Sequence, residues 1–281
     1  MARLDTIHKL IMMLLKDLPQ YRAEALSFPG DEKSQRKLLR SLMNVRPPLP
    51  LSAEYCALQD ELLSAEREAK GVVHVSGLVP SAADPGMYLW QGDITRLDAD
   101  AVVNAANSAL LGCFCPCHGC IDNAIHSAAG LQLRQECSGL MAEQGHDEGT
   151  GLAKITGAYN LPSKYVIHTV GPVVSCVNSD GSPHVTDSDR VLLSSCYRHC
   201  ISLALSHRDE NGASDIHSIA FCCISTGEFH FPNLEAAQIA VQTVRRCLDR
   251  SGGQELKVVF NVFKDADYDI YDSLLGKRSV Q

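Results

Sequence analysis

Apolar residues along the first seventy positions recur at helical spacing. Leu4, Ile7, Ile11 and Leu14 fall on one side of a 3.6-residue repeat, which predicts an amphipathic helix. Leu38, Leu39 and Leu42 make a second stripe after the polar run Asp31-Glu32-Lys33. A third helix is predicted from Ser52, a good N-cap, and carries Tyr55, Leu58, Leu62 and Leu63. Prolines at 47, 48 and 50 separate the last two helices, because proline removes a backbone donor and breaks the helical ladder. Gly77, Pro80, Pro85 and Gly86 predict a connector over 77–86.

Beyond it the period changes. Short apolar runs at 87–90 and 99–103 read as strands, the second entering a loop at 104–107. A helix is predicted near Ile121, with Ile121, Ile125, Ala128 and Ala129 on one face. Strands follow at 164–170, 218–224 and 256–263, with helices at 191–205, 234–248 and 267–275. Residues 175–189 are polar and turn-rich, which predicts a loop. Strands alternating with helices imply an α/β layer fold that binds ligands at the carboxyl ends of its strands. The expected organisation is a helical extension over 1–76, the connector over 77–86, and an α/β domain over 87–281.

Composition adds limits. The chain has 281 residues, is 45% hydrophobic and 21% charged, and carries a net charge of -8. Nucleic-acid binding rests on neutralising phosphates, so an acidic balance argues against it. The apolar run 11–15 is bracketed by Lys9 and Lys16 and is too short to span a bilayer. No stretch approaches about 18 apolar residues, so no membrane partner is expected. Twelve cysteines are present, and four of them cluster within 113–120. Cys222 and Cys223 lie in an apolar run and read as small core residues. Free thiols and a thiolate metal site both suit a reducing, cytoplasmic setting.

The cluster is Gly112-Cys113-Phe114-Cys115-Pro116-Cys117-His118-Gly119-Cys120. Soft donors this dense suit zinc. Spacing alone leaves open whether the site is closed and structural or keeps a free position for chemistry. The adjacent Val103-Asn104-Ala105-Ala106-Asn107 and Asp122 favour a functional site.

Five separated strings carry a resemblance. They are Gln91-Gly92-Asp93-Ile94-Thr95, Val103-Asn104-Ala105-Ala106-Asn107, Gly151-Leu152-Ala153-Lys154-Ile155-Thr156, Val166-Ile167-His168-Thr169-Val170-Gly171-Pro172 and Ile224-Ser225-Thr226-Gly227. In this order they resemble the macrodomain family, which binds ADP-ribose. The cysteine–histidine segment, where many macrodomains have a glycine-rich loop, is similar to the zinc-containing branch, whose members hydrolyse ADP-ribose from modified proteins. The resemblance implies a three-layer α/β/α macrodomain with a mixed central sheet, preceded by helices. It implies one zinc ion per chain on Cys113, His118 and Cys120, and assigns nothing to Cys115 or Cys117.

It further implies that Asp93 accepts from the adenine amino group and that the Ile94 amide reaches the ring. Asn107 would orient the distal ribose or a water, while Asn104 braces the loop backbone. Asp122 would be the general base or a ribose orienter. The amides of Cys120, Ile121 and Asp122, at a helix start, would meet the diphosphate and ribose. Ser225, Thr226 and Gly227 would form the phosphate loop, which explains how an acidic chain holds an anion through backbone N–H groups. Phe229 would wall the distal ribose, with Glu228 beside it. His168 reads as a core histidine. The implied activity is zinc-dependent removal of mono-ADP-ribose from protein side chains, with a mono-ADP-ribosylated protein and ADP-ribose as partners. A non-catalytic reader, an O-acetyl-ADP-ribose deacetylase and a zinc-stapled interaction protein stay open as alternatives.

Overall fold

The helical stripes of the first region close on one another. The computed structural model describes residues 3–251 and 255–276; the outermost predicted residues, 1–2 and 277–281, lie outside them. Four helices form the extension: α1 (Arg3–Asp17), α2 (Arg22–Ser27), α3 (Glu32–Val45) and α4 (Ala53–Lys70). Asp31 caps α3 by accepting from the Ser34 amide at 3.0 Å, and Ser52 caps α4 by accepting from Tyr55 at 3.1 Å. Ile7, Leu14, Leu39, Leu42 and Leu62 bury into a cluster of their own, joined by Leu131 from the following domain. The sequence reading had no α2; it spans one and a half turns and buries only Ala25, too little to show a period.

The second region builds six strands: β1 (Met87–Gln91), β2 (Ala101–Ala106), β3 (Ala153–Gly157), β4 (Tyr165–Val170), β5 (Ser218–Phe221) and β6 (Lys257–Val262). Their order in the sheet is β1-β6-β5-β2-β4-β3. All neighbours are parallel except the β3–β4 edge pair, so the sheet is mixed. The helices are α5 (Ile121–Ala129), α6 (Leu131–Gln144), α7 (Asp187–Ser206), α8 (Asn233–Asp249) and α9 (Asp265–Leu275).

Successive strand residues face opposite sides of a sheet. In β4, His168 faces α6, where its ring meets Cys137 Sγ at 3.6 Å. On the other face Phe221 of β5 packs on Tyr197 of α7, with ring centroids 4.9 Å apart. Helices therefore flank the sheet on both sides, as the resemblance implies. The core between the layers includes Val103, Ile125, Leu133, Ile167, Ile219, Val244 and Phe260. The connector is fastened to this domain: Arg245 grips Asp84 at 2.6 Å and Ser81 Oγ donates to the Leu275 carbonyl at 2.6 Å.

Three differences from the sequence reading have physical causes. The second strand runs on through Asn104 and Ala105, because Asn104 finds buried side-chain partners and pairs in register with His168. The sequence reading also lacked α6. That helix buries Arg134 beside Leu131, Leu133 and Cys137, and a buried cation breaks the apolar stripe. Helix α7 begins at Asp187, inside the predicted loop, because Thr186 and Asp189 form a reciprocal capping box.

Candidate active site at the strand ends

Parallel strands β1, β2, β4, β5 and β6 end on one side of the sheet, and the loops leaving those ends carry the predicted residues. Asn104 anchors the centre. It is fully buried, and its Nδ2 donates to Asp122 Oδ1 at 2.8 Å. The same nitrogen lies 3.2 Å from His168 Nδ1, while His168 Nε2 meets Thr156 Oγ1 at 2.9 Å. Burial pushes the His168 pKa down to about 3, so the ring is neutral and serves as a fixed hydrogen-bonding wall. Asn104 therefore braces a carboxylate, where the resemblance had it bracing the loop backbone.

Asn107 grips both sides of the loop that follows. Its Nδ2 donates to the Gly112 carbonyl at 3.1 Å and approaches Asp122 Oδ2 at 3.4 Å; its Oδ1 accepts from the Ala109 amide at 3.1 Å. Asp122 lies in the first turn of α5 and is 5% exposed. Burial raises its pKa to about 6, against the lowering effect of the Asn104 hydrogen bond and of Arg134. A carboxyl tuned there is ionised at neutral pH yet holds a proton well, which suits a general base.

Cys120 caps α5: its sulfur accepts from the Asn123 amide at 3.4 Å and its carbonyl from the Ala124 amide at 3.1 Å. That leaves the first-turn amides of Ile121 and Asp122 pointing outward, as at any helix start. Cys113, His118 and Cys120 present three ligand atoms within 4.8 Å of one another. His118 Nδ1 is buried with no hydrogen-bond partner, and Nε2 lies 3.6 Å from Glu228 Oε1. A ligating imidazole backed by a carboxylate is the usual outer support of a metal site. Burial and the Cys113 sulfur raise the Cys120 thiol to about 12; a bound cation reverses that balance and favours thiolate. The donor set thus fits zinc. Cys115 is exposed, and Cys117 Sγ is taken up by Ser41 Oγ at 3.3 Å; neither joins the three donors. Three protein ligands leave a fourth position open.

A second buried trio, His126, Cys137 and His168, also lies within 4.8 Å. Both His168 nitrogens are already engaged, so it reads as the predicted core histidine.

The loop after β5 faces the cluster. Ser225 has φ 66°, and a Cβ at Gly171 would collide with its hydroxyl, so glycine at 171 makes room for this turn. The Thr226 amide turns back to the Cys223 carbonyl at 3.4 Å. The amides of Gly227, Glu228 and Phe229 donate to no protein atom among the described residues. Of the predicted Ser225, Thr226 and Gly227, the amide of Thr226 is taken up within the protein, while those of Ser225 and Gly227 donate to no protein atom among the described residues. Glu228 touches His118 and so bridges the two loops.

At the far end, Asp93 Oδ1 accepts from the Thr95 amide at 3.0 Å and its hydroxyl at 2.7 Å, capping a 3₁₀ turn (Ile94–Arg96). Its other oxygen accepts from no group among the described residues, and the Ile94 side chain is buried. Phe263, which the sequence reading placed inside the last strand, lies just past the end of β6 and is 75% exposed. A cavity of about 130 Å³ opens behind Asp93, between α4 and α5, lined by Arg40, Arg67, Thr95 and Ser127.

A mixed six-stranded sheet between helical layers, with a buried carboxylate and a tight loop at one row of strand ends, has the architecture of a macrodomain. The chain belongs to the macrodomain family. The family model described as "Macro domain" matches residues 103–240. The chain is 48% identical over 269 residues to a protein-ADP-ribose hydrolase of Treponema medium, covering 95% of this chain and 97% of that one. It is 45% identical over 266 residues to a protein of the same name from Staphylococcus aureus strain MSSA476, with 94% of each covered. Its fold is similar to the Trypanosoma brucei macrodomain in complex with ADP-ribose, at TM-score 0.62 and 32% identity, over 81% of this chain and 92% of that chain. An Oceanobacillus iheyensis macrodomain with ADP gives TM-score 0.55 and 34% identity, over 67% of this chain and 89% of that chain. No helix among the described residues is long and apolar enough to cross a membrane.

Proposed function

We propose that the chain is a zinc-dependent hydrolase that removes mono-ADP-ribose from modified protein side chains. One observation carries this reading: Asp122 is buried, braced by Asn104 and Asn107, and lies two residues from Cys120 of the three-donor group. Relatives covering nearly the whole chain and named protein-ADP-ribose hydrolase support the same reading.

In this reading Asp93 and the Ile94 backbone take the adenine edge, and Phe263 offers its exposed face for stacking. The free amides of 227–229 and of Ile121 and Asp122 take the diphosphate, since backbone N–H groups bind phosphate without net positive charge. The Cys120 amide and Phe229 border the distal ribose. Asn107 fixes the ribose against Asp122. Zinc on Cys113, His118 and Cys120 would supply Lewis acidity at the distal ribose. Asp122 takes the proton of the attacking water as its oxygen bonds to the anomeric carbon. The bond from that carbon to the protein side chain breaks with its electron pair going to the side chain, which takes up the proton that Asp122 received, so the carboxylate is regenerated. The negative charge of Asp122 also favours the positive charge that grows on the sugar as that bond breaks.

The test is incubation with a mono-ADP-ribosylated protein, with release of free ADP-ribose measured before and after chelation. The expected result is release by the zinc-loaded chain and its loss on chelation. A modification that persists while ADP-ribose binds tightly would make the chain a reader. Release that survives full metal removal would sink zinc dependence alone.

A further inference from the structure

The extension meets the cysteine–histidine loop through one face of α3. Lys37, Arg40, Ser41 and Asn44 are spaced three and four apart and so share that face. Asn44 is 2% exposed, and its Oδ1 accepts from the Cys117 amide at 2.9 Å. Ser41 Oγ lies 3.3 Å from Cys117 Sγ, which also points at the Lys37 carbonyl at 3.6 Å. Cys117 has φ 52°, a left-handed conformation that a residue with a Cβ adopts at a cost of about 1 kcal/mol or more. That conformation closes the turn in which the His118 amide reaches the Cys115 carbonyl at 3.2 Å, and so sets where His118 projects.

A buried chain of hydrogen bonds extends the grip. Asn44 Nδ2 donates to Ser127 Oγ at 3.1 Å, and Ser127 donates to Asn123 Oδ1 at 3.2 Å. Asn123 Nδ2 donates to the Cys115 carbonyl at 2.9 Å, while Arg40 holds Asn123 Oδ1 at 2.7 Å. On the far side Arg134, 2% exposed, donates to the carbonyls of Met43, Asn44 and Arg46 at 2.9, 2.9 and 2.6 Å. These are carbonyls at the end of α3, where a helix presents negative charge. The same guanidinium donates to the Leu111 carbonyl at 2.6 Å and sits 4.3 Å above the Phe114 ring. Leu111, Phe114, Cys115 and Cys117 are thus tied, directly or through one residue, to α3.

We infer that the extension is part of the metal site: α3 positions Cys113, His118 and Cys120, with Asn44 as the central positioning residue. This rests on the zinc reading above. It assigns the extension a role that the macrodomain core does not fill, since among the described residues the partner of the strained Cys117 amide is Asn44 of α3.

The experiment compares the full chain with Asn44→Ala and Asn44→Asp. Zinc affinity is read by chelator competition, and exchange of the Cys117 amide with deuterium is read on metal-free protein. Losing a support behind the ligands costs about 10–100-fold in metal affinity, the fall expected for Asn44→Ala. Its Cys117 amide should exchange at least about tenfold faster. Asn44→Asp keeps the acceptor for the Cys117 amide but loses the donor to Ser127 Oγ, so it should fall between wild type and Asn44→Ala in both. ADP-ribose affinity of the metal-free chain should fall less than zinc affinity does, because the amides of 227–229 lie outside the chain of bonds that Asn44 holds. If Asn44→Ala does not fold, Ser41→Ala, at a partly exposed position, should weaken zinc by about threefold, within the range of one hydrogen bond. Wild-type zinc affinity in whichever variant folds overturns the inference. A wild-type chain that takes up no zinc overturns the metal reading, and this one with it.

Discussion

Replacing Asp122 with asparagine separates what this carboxylate costs the fold from what it does for the reaction. Burial raises its pKa from 3.8 to about 6, so the folded chain holds this proton more tightly than the unfolded chain does. Between those two values the folded chain carries more protons, and stability falls as pH rises. The penalty is absent below pH 3.8 and complete above about pH 6. A gap of about 2 in pKa corresponds to about 3 kcal/mol. Asparagine has no charge to bury, and its Oδ1 still accepts from Asn104 Nδ2. Its amide, however, would face Asn107 Nδ2, where Asp122 Oδ2 now stands at 3.4 Å. That mismatch costs about 1 kcal/mol. The net expectation is stabilisation by about 2 kcal/mol, or a Tm raised by about 4–8 °C for a chain of this size. Melts of chelated protein at about pH 7.5 and about pH 4 should show this gain at the higher pH and its near disappearance at the lower. ADP-ribose release by the zinc-loaded variant should fall by at least about 100-fold, the scale of a lost general base. A variant less stable than wild type at pH 7.5 would refute the burial argument. A stabilised variant with full turnover would refute the catalytic one.

Three further outcomes are expected. Cys113→Ala or Cys120→Ala should abolish the one bound zinc in elemental analysis, while Cys115→Ser, exposed and outside the donor group, should retain it. Phe263→Ala should leave Tm nearly unchanged because the ring is 75% exposed, yet weaken ADP-ribose binding by about 1–3 kcal/mol in calorimetry, the worth of one base stack. Gly171→Ala drives a methyl into Ser225 Oγ; it should reduce ADP-ribose affinity by about tenfold or more, and an unchanged affinity would show that the 225–229 turn does not hold the diphosphate.

The extension shows how much the chain itself determined. The stripes through Ile7 and Leu14, Leu39 and Leu42, and Tyr55 and Leu62 are the buried faces of α1, α3 and α4. They were legible because a helix with one buried face must repeat at 3.6 residues. The strand–helix alternation was legible because short apolar runs alternate with such stripes, and Cys113, His118 and Cys120, which the family resemblance grouped, lie with their ligand atoms within 4.8 Å of one another. Arg134 and Asn104 were not legible. Each is a polar residue in a buried element, and only partners distant in sequence, the α3 carbonyls for one and Asp122 with His168 for the other, make burial tolerable. The pKa of Asp122 and the grip of α3 on Cys117 likewise depend on which elements come to lie side by side. Local sequence sets periodicity and donor chemistry; desolvation and long-range hydrogen bonding exist only once the chain has folded.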